Sequence, residues 1–483
     1  MFRRLIPIVP AVLLLMAACS SDDAKPATTP AGTTPDAGST SPDGSPASTF
    51  IDLGEIRSGV DVAFDIPDNA LGFNITVEGS VADFNAEAQY GIERVTDPAG
   101  TNVHDGFTPA GGDQDTSIAT FDTIAAVSVP QGDNTPAKLG GTWTLRVGSK
   151  SQPARAVKVR GKVRVQTSSD GVFRGGTLDL HVHVPSGLQF GAATLTAANA
   201  PTATAMVSRI DLFFQVTAAL LGIGRGNVVF HEAPAKLASL NGIDALVDGF
   251  RVSKGATDGD QEMHILFTNE IAEMGEAIAA GISPGVPGAA GTFGRGVSTI
   301  IIAGSGSIND DVSTMIHEMG HFFGLNHTTE FDGFSADPLG DTPRCTTMDG
   351  SKSLQKLRAC PDRTNVMFAA GALDAPITLS PTQKRVFHGS PIYRANGAGT
   401  TTSRSLQNTP IALTSRRVYR PSGGPLSPAE QELSLGFCGL NAIDQNGLLA
   451  RHGRAQLASA AEDMDLHPII RGRARVALRR LGL

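Results

Sequence analysis

His317-Glu318-Met319-Gly320-His321-Phe322-Phe323-Gly324-Leu325-Asn326-His327 is the stretch whose reading decides the rest. It reads as a helix that starts at Asp310 or Asp311 and stops at Gly324. His317 and His321 are four residues apart, so both imidazoles leave one helix face and can bind one Zn2+. Glu318 stands beside them, placed as general base toward a water on the metal. Gly324 can adopt positive φ, which ends the helix and turns the chain sharply. That turn brings His327 back as a third ligand. Three protein ligands leave one position open to water, the arrangement of a catalytic rather than a structural zinc site.

Upstream, Leu178, Leu180, Val182 and Val184 alternate with Asp179, His181 and His183, which predicts a half-buried strand. Its two histidines read as facing solvent or a polar seam rather than as a ligand pair. Met206, Ile210, Phe213, Phe214 and Leu220 recur at helical spacing over 203–221, with Gly222 as the stop. Further strands are expected at Asn227 to Phe230, Met263 to Thr268 and Ser298 to Ile302. Strand, long helix, strands and a second helix is the order of an α/β or α+β catalytic domain.

The complete H-E-x-x-H-x-x-G-x-x-H pattern resembles the metzincin zinc metallopeptidases, and within them the pappalysin group, relatives of pregnancy-associated plasma protein A. His327-Thr328-Thr329-Glu330, Asp341-Thr342-Pro343, Asn365-Val366-Met367 and Ser380-Pro381-Thr382-Gln383 carry the narrower likeness. It covers residues 170–392. The resemblance implies an endopeptidase acting on proteins or peptides, with Met367 as the Met-turn thioether beneath the zinc ligands. The peptide is expected to lie extended along an edge strand just before Ser298 to Ile302. Phe368 and Ala369 follow Met367 where many metzincins carry a tyrosine, and Tyr393 is the nearest one in sequence. Transition-state stabilisation then rests more on the metal. The competing readings are a surface adhesion or binding lipoprotein on a catalytically silent metzincin scaffold, and a zinc hydrolase outside the metzincins.

The N-terminal part sets the compartment. Arg3 and Arg4 precede an apolar run ending in Leu15-Met16-Ala17-Ala18-Cys19, which resembles a bacterial lipobox. Residues 1–18 are expected as signal peptide and Cys19 as the lipidated residue, anchoring an exported envelope protein to a membrane. Residues 19–49, rich in Ser, Thr, Pro, Ala, Gly and Asp, read as a disordered tether. Short β-rich runs over 50–165, including Val60 to Ile66, Phe73 to Val77, Thr120 to Val129 and Thr142 to Val147, predict an all-β sandwich. Glu93 to Thr101 and Gly140 to Val147, with the single Trp143, resemble the P domain found beside secreted proteases.

After Cys19, three cysteines remain. Beside the family motifs, Cys345 and Cys360 are expected to form a disulfide closing a loop of about 15 residues, worth about 3 kcal/mol in the chain-entropy model. Cys438 is left unpaired. Glu330, Asp332, Asp337 and Asp341 crowd one loop, read as a solvated acidic loop with Ca2+ binding as the alternative. Residues 393–427 read as a linker and 428–483 as a helical, Arg-rich C-terminal region of unknown role. A net charge of −8 argues against nucleic acid as a partner, and no feature fixes an oligomeric state. The expected architecture is thus multidomain: an all-β sandwich, an α/β (α+β) metzincin-like domain and a helical tail.

Overall fold

The computed structural model describes residues 47–79, 90–106, 124–149, 157–253, 261–273, 276–290, 298–305, 307–330, 336–347, 354–371 and 377–394. The expected signal peptide, Cys19, most of the tether, Cys438, the linker beyond residue 394 and the C-terminal region lie outside them.

Eight strands form two four-stranded antiparallel sheets. β1 (Ala47–Arg57), β8 (Lys158–Thr167), β3 (Ala70–Gly79) and β6 (Ile124–Val129) make one, in that order. β2 (Asp61–Ile66), β7 (Gly141–Ser149), β4 (Tyr90–Thr96) and β5 (Asn102–Asp105) make the other. β1 begins inside the stretch expected as tether, because Ala47 to Ser48 still pair with Gln166 and Thr167 on β8. Inward-facing residues of both sheets build one core around Phe73, Val95, Trp143 and Val163. Trp143 is fully buried, edge-on to Phe73, and its indole N–H donates to the Leu139 carbonyl at 2.6 Å. A buried aromatic with a polar handle ordinarily finds such a partner.

The second half is built on a five-stranded sheet. β9 (Gly176–Pro185) lies between β12 (Ile223–Ala233) and β14 (Glu262–Thr268), with β18 (Thr299–Ala303) next and β17 (Gly281–Ile282) at the far edge. β12, β9, β14 and β18 run parallel, and β17 is antiparallel to β18. Two small sheets accompany it, the hairpin β10 (Leu188–Phe190) with β11 (Ala193–Leu195), and β13 (Leu240–Asn241), β15 (Ile271–Glu273) and β16 (Glu276–Ala279).

α1 (Thr204–Leu221) and α3 (Ile308–Phe323) pack together on one face of the large sheet. α1 is long and apolar enough to cross a membrane by composition, yet Met206, Ile210 and Phe213 are buried in the core. Gly222 caps it with φ +69°, a conformation that favours glycine. α2 (Ile243–Phe250) covers the other face over β18 and β14, through Leu246, Val247 and Phe250 against Leu266 and Ile301. β9 departs from the half-buried expectation. As an interior parallel strand it is covered on both faces, so Asp179 and His183 are buried as well as the aliphatic set.

The sandwich is docked on this body. Arg385 donates to the Thr135 carbonyl at 3.3 Å, the Gly340 amide to Asp133 at 2.7 Å, and Gln166 to the Tyr393 carbonyl at 3.4 Å. A Cβ at Gly72 on β3 would overlap the Gly389 backbone, so the two chains pass at glycine-only distance.

Candidate metal centre

α3 begins two or three residues earlier than expected, at Ile308, because Ser307 caps it by accepting from the Asp310 amide at 3.4 Å. Asp310 and Asp311 complement the helix N-terminus. Buried Asp311 also pairs with Arg209 of α1 at 2.6 Å and accepts from the Ser305 amide at 2.7 Å. The helix stops at Gly324, whose φ of +110° carries the chain back across the helix end.

That return brings three imidazoles together. His317 and His327 Nε2 are 3.2 Å apart, and His321 Nε2 is 3.1 Å from each. All three residues are buried. Each Nδ1 faces an acceptor: the Val366 carbonyl at 2.6 Å from His317, the Leu325 carbonyl at 2.7 Å from His321, and Glu330 Oε1 at 2.7 Å from His327. A carbonyl or carboxylate oxygen accepts only from a protonated nitrogen, so each of these three Nδ1 atoms carries a proton. Three Nε2 lone pairs then converge with no proton between them, an arrangement that needs a cation. Ligands about 2.0–2.1 Å from a tetrahedral zinc stand about 3.3 Å apart, close to the spacing here. Burial, with His327 beside it, holds the His317 pKa down to about 3. Burial and the two neighbouring imidazoles hold His321 well below its ordinary value. Neutral rings are the form that ligates. The residues therefore fit zinc.

Glu318 points from the same helix and is 1% exposed. Neither of its carboxylate oxygens closes a hydrogen bond among the described residues. Burial pushes its pKa well above the usual carboxylate range, a rise that the Ser283 backbone opposes. The edge strand β17 passes directly over it, since a Cβ at Gly281 would lie 2.9 Å from Glu318 Oε1. A buried carboxylate costs stability, and Glu318 stands on the helix that carries His317 and His321, beneath the edge strand β17.

Met367 lies against α3, where a Cβ at Gly320 would overlap its thioether sulfur. Its turn is built by Asn365, whose Oδ1 accepts from the Met367 amide at 2.8 Å. Asn365 Nδ2 in turn donates to Gln383 at 2.8 Å. Gln383 belongs to α5 (Pro381–His388), which opens with a reciprocal capping box between Ser380 and Gln383. The Met367 carbonyl accepts from the Thr328 amide at 2.9 Å. One turn thus orients His317 through Val366 and anchors the residue after His327. Cys345 and Cys360 are disulfide-bonded, with α4 (Leu354–Ala359) between them. The bridge packs with Leu357 and Phe368 beside the Met367 turn.

Other expected residues part company. Tyr393 is fully buried, edge-on to Phe323 within the core. The acidic loop does not converge: Glu330 faces His327, Asp337 accepts from Thr342 at 2.6 Å, and Asp341 caps α5 through Ser380 and the Thr382 amide at 2.8 Å. Asp332 is outside the described residues. Three carboxylates committed to three partners make no shared Ca2+ cage. Sequence reasoning missed the Val366 and Leu325 carbonyls, which carry no side-chain signature. It also misread Glu330, whose spacing of three from His327 was visible.

No family model matches the chain, and no curated protein matches it. Among solved structures, archaemetzincin from Methanopyrus kandleri is 19% identical, with a match covering 46% of this chain and 91% of that one at a TM-score of 0.22. Metalloproteinase-II from Bacteroides fragilis is 15% identical, with 36% of this chain and 58% of that one covered at a TM-score of 0.22. Xylanase10C from Cellvibrio japonicus is also similar, at 15% identity, 44% and 36% coverage and a TM-score of 0.16. Likenesses this distant leave the functional reading to the geometry of the site.

Proposed function

We propose that the chain is a zinc-dependent endopeptidase of the metzincin type that works outside the cytoplasm. The observation that carries this reading is the convergence of His317, His321 and His327 Nε2 beside unpaired Glu318. Bound zinc supplies Lewis acidity, which acidifies a water and polarises a scissile carbonyl. The residues of the chain do the rest. The Nδ1 partners hold the three rings in one tautomer and orientation. Glu318 Oε1 or Oε2 takes a proton from the attacking water and returns it to the leaving amine. Burial raises its pKa, which favours the protonated form that returns the proton. β17 offers an edge to an extended peptide, whose backbone would add to the sheet directly over Glu318. The Cys345–Cys360 bridge supports an oxidising compartment, in keeping with a signal peptide and lipid attachment at Cys19. The pappalysin-like motifs around Thr328, Asp341 and Ser380 support that narrower kinship, since each meets the zinc helix, the Met367 turn or α5.

Purified protein is expected to cleave an unfolded protein substrate, to stop when a chelator strips the metal, and to resume on addition of zinc. A chain that takes up zinc at His317, His321 and His327 yet cleaves nothing across a peptide library would replace this reading with that of a silent binding scaffold.

A further inference from the structure

The face of the large sheet opposite α1 and α3 carries a second cluster of ligating side chains. β9 presents Asp179, His181 and His183 there, β14 presents Glu262 and His264, and β12 presents His231. His264 stands opposite His181 in the β14–β9 register, and His231 opposite His183 in the β12–β9 register. The neighbouring part of this face, under α2, is apolar, with Leu266, Ile301 and Ala303. Four imidazoles and a carboxylate in place of such residues cost burial energy that their mutual contacts must offset.

Those contacts have a definite pattern. Glu262 spreads its two oxygens between two rings, with Oε2 3.1 Å from His181 Nε2 and Oε1 2.8 Å from His264 Nε2. Behind each of these rings stands a further imidazole. His231 Nε2 is 3.0 Å from His181 Nδ1, and His183 Nε2 is 2.8 Å from His264 Nδ1. One ring nitrogen each of His181 and His264 and one oxygen of Glu262, all within 4.8 Å of one another, form a ligand set. Backing of each ligand ring at Nδ1 is the support such ligands ordinarily receive. Glu262 and His264 are 5% and 1% exposed, whereas the His181 side chain is 18% exposed, which leaves an entry path from solvent. Arg394 holds Asp179 at 2.9 Å on the flank, keeping that carboxylate out of the ligand set.

We propose that His181, His264 and Glu262 form a second metal site, which takes a divalent transition metal of the zinc type and clips β9 to β14. Two imidazoles and one carboxylate suit zinc better than calcium or magnesium, which prefer all-oxygen shells. The competing arrangement is a metal-free chain of hydrogen bonds through the same five groups, and the two differ in metal content. Neither depends on peptidase activity.

The test counts metal in the full chain. With His317→Ala and His321→Ala removing the first centre, protein equilibrated with zinc and gel-filtered is expected to retain about one zinc per chain. Adding Glu262→Gln and His264→Gln should reduce that to background. Cobalt in the first-centre variant should give a visible ligand-field band that the four-substitution variant lacks. A folded first-centre variant that holds no zinc and gives no cobalt band overturns the proposal. Should that variant fail to fold, the intact sequence decides: two zinc ions per chain, falling to one with Glu262→Gln and His264→Gln, support the site. One zinc per chain, unchanged by those substitutions, overturns it.

Discussion

At the scale of single residues, the candidate zinc site is oriented by atoms that are not ligands. His317 and His321 take their orientation from backbone carbonyls, but His327 takes its from a carboxylate, Glu330. Glu330→Gln keeps the length and an acceptor oxygen and removes the charge. Metal affinity is expected to fall by about 10- to 100-fold, since partners of this kind are worth that much to a metal ligand. Competition with a zinc-binding dye would check it, and an unchanged affinity would show that Glu330 does not act on His327. The three histidines and Glu318 were legible because helical periodicity converts fixed offsets into a shared face. The Val366 carbonyl was not, because a backbone acceptor 49 residues from His317 leaves no mark on residue type.

At the scale of elements, α3 is held at both ends. Gly324 and the Met367 turn secure the ligand end, whereas the N-terminal end depends on the pair between Arg209 of α1 and Asp311. Both partners are almost fully buried, and burial raises the Asp311 pKa while Arg209 opposes the rise. Removing one partner strands a buried charge, so Arg209→Met is expected to cost about 3–5 kcal/mol in denaturant unfolding. Arg209→Met with Asp311→Leu should recover most of that loss, because an apolar pair of similar volume often replaces a buried ion pair without penalty. A double variant as unstable as the single one would contradict the pairing. The sequence spacing marked α1 and α3 as helices and Gly222 and Gly324 as their ends. It could not pair them, because residues 209 and 311 are 102 apart in sequence and meet only once both helices pack on the same face of the sheet. Burial of β9 on both faces was hidden for the same reason, since alternation looks alike whether the polar face meets water or a polar layer.

At the scale of the whole molecule, the sandwich is part of the frame around the body that carries the three histidines. Asp133 receives the Gly340 amide, Arg385 reaches Thr135, and a cavity of about 600 Å3 lies between Gln131 and Asp133 on one side and Pro338 and Arg344 on the other. The loop on the side of Pro338 and Arg344 carries buried Asp337. Burial raises its pKa to about 7, against a hydrogen bond from Thr342 that opposes the rise. A carboxyl whose folded pKa lies above its unfolded value favours the fold when protonated. Its penalty is absent below about pH 4, grows as the pH rises toward 7, and is then constant. Asp337→Asn is therefore expected to gain on the native chain as the pH rises over that window, by at most about 4 kcal/mol. Denaturant midpoints at pH 5 and pH 8 would show it, and a difference independent of pH would contradict it. The strand-rich composition and the buried tryptophan made a sandwich readable. Its docking was not readable, because Gly72, Asp133 and Gln166 meet partners more than 200 residues away.

The central claim is that Glu318 performs the proton transfers of peptide hydrolysis beside a zinc held by His317, His321 and His327. Its most direct test compares intact protein with Glu318→Ala for both zinc content and the rate of cleavage of an unfolded protein substrate. The account predicts an unchanged zinc content and a rate lower by at least about 10²–10⁴-fold. A Glu318→Ala protein that retains zinc and cleaves at the native rate would contradict it.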